Sequence, residues 1–257
     1  MIRFLLNGSK LAAAGMAMVV VPQSASAQSV WNGTTDTNWQ NGSNWSAGTP
    51  GAANTATIND GATPNQPVLT TSAGLGSLDL SAGSLTLNEQ LQVFNSVTIT
   101  GGTLTIASGG IGFYAPVTFS GGTLNVLAGG DLYSMVTLSG TGSLNIAGQH
   151  EGELRLNGGT FVNSGTVDQV DYTAGSFTNT GTITGNAAFS GGSVSNAGTI
   201  NGATTVFTGN LSNLGTLAGD VSLNGGNLTN DGTVSGRISV ENGSTLTNLA
   251  NGKTTQG

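Results

Sequence analysis

The chain has 257 residues, of which 43 are glycine, none is cysteine and only 7% are charged. Glycine at more than twice its usual ~7% and charge far below the usual ~25% exclude an ordinary globular core. The 37% hydrophobic residues are regularly placed, which argues against disorder. Twelve acids against five bases give a formal net charge of -7. Phosphate binding needs clustered Lys and Arg, so nucleic acid is not an expected partner and neither is an anionic membrane.

Residues 1–27 predict a signal peptide. Arg3 and Lys10 form a positive start, Leu11 to Val21 an apolar run too short to span a bilayer, and Ala25-Ser26-Ala27 an A-x-A cleavage signal. Cleavage after Ala27 leaves a chain beginning at Gln28 with 12 acids and 3 bases, a formal charge of 3 − 12 = −9. No later stretch has the length and apolarity of a transmembrane helix, so no membrane span is expected in the mature chain. An exported chain without cysteine must be stable without disulfides, which also suits threading unfolded through an outer-membrane pore.

Residues 28–75 are expected to form an N-terminal cap segment. It carries all three tryptophans, Trp31, Trp39 and Trp45, read as covering the apolar end of the first coil, with a sugar-stacking platform as the alternative. From residue 76 a repeat dominates. Leu78-Asp79-Leu80, Val97-Thr98-Ile99, Val117-Thr118-Phe119 and Val136-Thr137-Leu138 recur at spacings of 19, 20 and 19, and the first position continues at Leu154, Val170, Ala187, Thr204, Val221 and Ile238. A second column runs through Leu85, Leu104, Leu124, Leu144, Phe161, Phe177, Val194, Leu211, Leu228 and Leu246. Two residues beyond it, Ile106, Val126 and Ile146 give way to Asn163, Asn179, Asn196, Asn213, Asn230 and Asn248.

Short alternating strands separated by glycine corners predict an all-β fold: a single-stranded parallel β-helix (β-solenoid) of about ten three-sided coils, each of about 17–20 residues. The general preference for right-handed crossovers makes it right-handed. The asparagines are expected to form an internal ladder, each amide bonded to its neighbour one coil on, because a buried amide without a partner costs about 1–3 kcal/mol. Asn-Gly at 157-158, 201-202, 224-225 and 242-243 leaves an antiparallel meander as the competing reading. A meander would not set like residues side by side every 17 positions.

The pattern Trp31-x-Gly33-x-x-Asp36-x-x-Trp39, then Asn44-Trp45-x-x-Gly48-x-Pro50, followed by glycine-rich repeats, resembles bacterial β-strand-repeat and autotransporter passenger proteins. The resemblance implies an exported scaffold displayed at the cell surface or outer membrane, or released outside the cell. Its implied partners are host or environmental surface glycans or proteins, with export machinery only in transit. Such proteins end in a transmembrane β-barrel, which this sequence lacks. It stops within repeat-like residues at Lys253-Thr254-Thr255-Gln256-Gly257, so the solenoid of 76–257 is expected to continue on a missing piece.

Chemistry-bearing residues are sparse. His150, Glu151, Glu153 and Arg155, with Asp168 and Asp171 one coil on, form the one ionisable cluster, and a polysaccharide-binding or polysaccharide-cleaving β-helix would need such a group. Arg155 over Asp171 and Asp220 over Arg237 read as exposed cross-coil ion pairs. The sole histidine has neither cysteine nor second histidine beside it for a metal. Gly129-Gly130-Asp131 is only a fragment of a calcium-binding nonapeptide, and no phosphate-loop motif is present. The expectation is therefore no catalytic residue, no metal, no cofactor and no enzymatic activity. The outward row Thr98, Thr118, Thr137 is assigned to ordinary β-propensity rather than to a ligand-binding array.

Overall fold

A computed structural model describes residues 27–110 and 112–255. All of the predicted signal peptide except Ala27 lies outside the described residues. The chain is a parallel β-solenoid of about eleven turns. Its helical content among the described residues is a single 3-10 turn, Gly42–Asn44.

Three series of strands make the three faces. The first face runs from Ala27–Val30 through Asn54–Ile58, 77–80, 96–99, Val117–Phe119 and Val136–Leu138 to Ile238–Glu241. The second runs from Val68–Leu69 to Thr245–Asn248. The third runs from 73–75 to Lys253–Thr254. Every one of these pairings is parallel, so the meander is excluded. The Asn-Gly pairs at 201-202, 224-225 and 242-243 turn corners instead of closing hairpins, and Asn242 and Gly243 adopt the left-handed φ of 52° and 76° that such a corner demands. Asn157-Gly158 lies inside the long strand Gln149–Asn163.

The register matches the sequence columns. Leu78 pairs with Val97, Val97 with Val117 and Val117 with Val136. Leu85 lies beside Leu104, and Phe161 beside Phe177. Alternation puts the outer members of each triplet inside and the middle one outside, as the buried-exposed-buried pattern of Val117–Phe119 shows. The parallel stack does not start at residue 76. Ala27–Val30 and Asn54–Ile58 are already in register with 77–80, so the tryptophan stretch between them is an insertion within the first levels of the solenoid.

The asparagines occupy the interior. Asn163, Asn179, Asn196, Asn213 and Asn230 are all fully buried. Each Nδ2 donates to the next residue's Oδ1, at 2.7 Å for 163 to 179, 2.6 Å for 179 to 196, and 2.7 Å for 196 to 213, 213 to 230 and 230 to 248. The same amides lean onto the corner, with Nδ2 of Asn179 and Asn196 3.4 Å and 3.3 Å from the carbonyl oxygens of Gly181 and Gly198. The column is continuous with the apolar one, because Ile146 pairs with Asn163. Four residues separate Val126 from Asp131 at an early corner; two separate Asn179 from Thr182. At the short Asn179 corner the amide adds a bond to the Gly181 carbonyl, whereas the equally short corner after Ile146 is held by backbone bonds without such an amide.

A rung in the middle of this ladder supports two neighbours, while a rung at its end supports one. Asn196→Val should therefore destabilise the chain by roughly 2–5 kcal/mol, since it strands a donor on Asn179 and an acceptor on Asn213 in the core. Asn248→Val, at an exposed position, should cost about 1 kcal/mol or less. Urea unfolding midpoints of the two variants decide this, and equal losses would contradict the ladder's role.

Candidate functional site

The tryptophan motif folds into a plug. Asn38 bridges Val68 in parallel, which sets Trp39 one level above Leu69 at the head of the inward column. Trp45 stacks edge-on against both Trp31 and Trp39, with ring centroids 5.0 Å and 4.7 Å apart. The Trp45 Nε1 donates to the Trp39 carbonyl at 2.8 Å, and the Trp31 Nε1 to the Asn65 carbonyl at 2.7 Å. The remaining motif residues hold the loop. The Asp36 carboxylate accepts from Asn41 Nδ2, Asn44 Nδ2 and the Asn38 backbone N–H. These bonds, that of Asn41 first, hold its pKa below the ordinary carboxylate value. Buried Asn44 accepts from the N–H groups of Thr35 and Asp36. Gly33, at a φ of 54°, leaves no room for a Cβ beneath the Asn65 carbonyl. With all three indoles at most 3% exposed, no ring face is free to stack on a sugar.

The ionisable cluster comes apart in three dimensions. His150 pairs with Leu132 on one side and Val167 on the other, in an inward column, and is 1% exposed. Its Nε2 lies 2.8 Å from the Ser134 carbonyl and donates to it, leaving buried Nδ1 without a partner. Burial, only partly opposed by that carbonyl and by Asp168, lowers its pKa from 6.5 to about 4. Glu151, Glu153 and Arg155 point outward, so imidazole and carboxylates lie on opposite sides of the sheet.

The expected cross-coil ion pairs also take other partners. Arg155 and Asp171 are in register, yet the guanidinium binds Glu153 on its own strand at 2.9 Å, the one salt bridge among the described residues. Asp220 Oδ1 accepts the backbone N–H of Arg237 at 2.9 Å rather than its guanidinium. A backbone N–H is already fixed in place, so pairing it with Asp220 costs less ordering than holding the long Arg237 side chain between turns. Near this second pair a cavity of about 410 Å³ opens between three turns, lined by Thr205, Asp220, Ser222, Arg237 and Ser239 among others.

One exposed feature, Glu151 apart, lies outside the clusters and columns read from the sequence. Phe94, Tyr114, Tyr133 and Glu151 each stand three residues before a triplet start, Val97, Val117, Val136 and Leu154, and that constant offset is the signal that locates them. Tyr114 and Tyr133 stack with centroids 6.1 Å apart and planes 13° from parallel. Tyr133 pairs with Glu151 in the next turn, and Asp131 sits two residues before it on the same side of the strand. The Tyr133 phenol is pushed to a higher pKa, first by Asp131, then by desolvation, Glu151 and Tyr114.

Among the described residues no group of three or more His, Cys, Asp or Glu side chains is placed to hold a metal, and no helix is long and apolar enough to cross a membrane. No protein-family model, curated protein or solved structure matches the chain. Its architecture is that of a β-helix repeat protein.

Two outcomes follow from this geometry. Folded His150 resists the proton that the unfolded chain binds near pH 6.5, so its contribution is complete above that pH and is lost as pH falls toward 4, by about 3 kcal/mol. Denaturation midpoints at pH 7 and pH 4.5 should differ more for the native chain than for His150→Leu. For the plug, Trp39→Ala should cost about 3–5 kcal/mol. Trp39→Phe should cost less, because the indole N–H it removes has no partner; thermal unfolding of both variants checks this.

Proposed function

We propose that the chain is an exported structural scaffold, an autotransporter-like passenger that extends from or is released at the bacterial cell surface. Its role is display and adhesion, without catalysis. The observation that carries this reading is the uninterrupted stack of about eleven turns, a rod on the order of 50 Å at ~4.8 Å per turn. Its sides are long and mostly uncharged, and its first levels are closed by the tryptophan plug. The signal-like residues 1–27 supply the route outward. Cleavage after Ala27 is compatible with the fold, since Gln28, Ser29 and Val30 keep their partners Thr55, Ala56 and Thr57.

A second reading, a polysaccharide-binding rod, is favoured by the groove around Asp220 and Arg237, where the hydroxyls of Thr205, Ser222 and Ser239 from three turns stand beside apolar surface in one cavity. Binding fits this groove better than cleavage does. The sole histidine faces the core on a different turn and is no base for a substrate there.

The test is expression of the full chain in a Gram-negative bacterial host, followed by fractionation and N-terminal sequencing. The expected product starts at Gln28 and lies beyond the inner membrane, and Ala27→Arg should block processing. An unprocessed native chain retained in the cytoplasm would overturn the proposal.

A further inference from the structure

Tyr114 is 59% exposed and Phe94 52% exposed, on neighbouring levels of the third face. Large aromatic rings left in water on adjacent turns are unusual in a chain that buries its other columns so completely. The Tyr114–Tyr133 stack is near-parallel, and more than half of the Tyr114 surface stays in water beside it. Asp131 and Glu151 flank Tyr133 on its own strand and on the next. Glu151 takes one neutral hydrogen bond, from Gln149 Nε2 at 2.8 Å, which leaves its charge uncompensated. Arg155, on the first face of the same turn, is already held by Glu153.

We propose that this patch is a docking site for the basic side chains of a partner polypeptide, with a Lys ammonium or Arg guanidinium seated against Tyr114 and Tyr133 and within reach of Asp131 and Glu151. A ring quadrupole and two unpaired carboxylates attract the same ligand, a cation on an apolar stem, for two separate physical reasons. A neutral sugar gains the ring contact but leaves the negative field unrelieved. The strands bring these groups together from levels ~4.8 Å apart, so an extended basic segment lying along the axis meets them in succession. The inference goes beyond the display reading and is independent of how the rod leaves the cell, because it concerns the purified chain.

The experiment is calorimetric titration of the full chain with hexalysine at low salt. Tyr114→Leu with Tyr133→Leu keeps apolar bulk, removes the π-faces, and should weaken binding about two- to fivefold. Asp131→Asn with Glu151→Gln should weaken it by at least about threefold, and added salt should weaken the native chain more than this variant. Asp60→Asn with Glu241→Gln removes the same charge elsewhere, at exposed positions, and should leave affinity unchanged. An equal loss in that control, which would mean diffuse attraction to an acidic protein, overturns the proposal. Unchanged affinity in the tyrosine variant also overturns it. So does binding of a neutral N-acetylglucosamine hexamer that needs the tyrosines but not the acids. Unfolding curves of each variant confirm that the exposed substitutions leave the rod folded.

Discussion

The structure depends on one constraint: each turn must lie in register on the next, so that backbone N–H and C=O groups pair along the axis rather than within a turn. A slip of one residue would exchange inside for outside along a whole face. Changes in turn length are therefore absorbed at corners and bulges, as at the shifts between His150/Glu153 and Leu156/Asn157. The strands themselves keep their alternation. The glycine column Gly165, Gly181, Gly198, Gly215, Gly232 follows from the same constraint. A Cβ at any of these positions would collide with the glycine carbonyl stacked against it, so the corner can stack only if it carries no side chain.

Register also decides which polar groups the core tolerates. An asparagine repeated at the same depth on successive turns finds its own kind at hydrogen-bond distance, and the cost of burying one amide is offset by the next. His150 has no such neighbours. It lies between Leu132 and Val167, keeps one bond to the Ser134 carbonyl, and remains neutral because a buried imidazolium would lack compensation. Repetition makes the first group a structural element, whereas isolation makes the second a point where acid weakens the fold.

The outside follows a different rule. Where the outward residue of a triplet is Thr or Ser, the face is bland, and where it changes to Arg155, Asp171 or Ala188 the row is interrupted. The aromatic and acidic stripe of the third face persists over adjacent turns without any packing need, since Tyr114 and Phe94 bury little. The plug shows the opposite use of aromatic rings: three indoles packed edge to face and withdrawn from solvent.

The amino-acid sequence alone determined the fold class, the three-sided turn and the register of the two main columns. These follow from recurrence, because residues spaced by one turn must meet once the strands are parallel. The Asn163 to Asn248 series could be read for the same reason. Only the tertiary structure decided what depends on direction rather than spacing. It turned His150 inward away from Glu151 and Glu153, and gave Arg155 to Glu153 instead of Asp171. It also joined residues 28–75 to the rod and brought Tyr114 beside Tyr133. These are choices among side-chain partners at similar separations, set by local geometry and burial that a one-dimensional repeat does not encode.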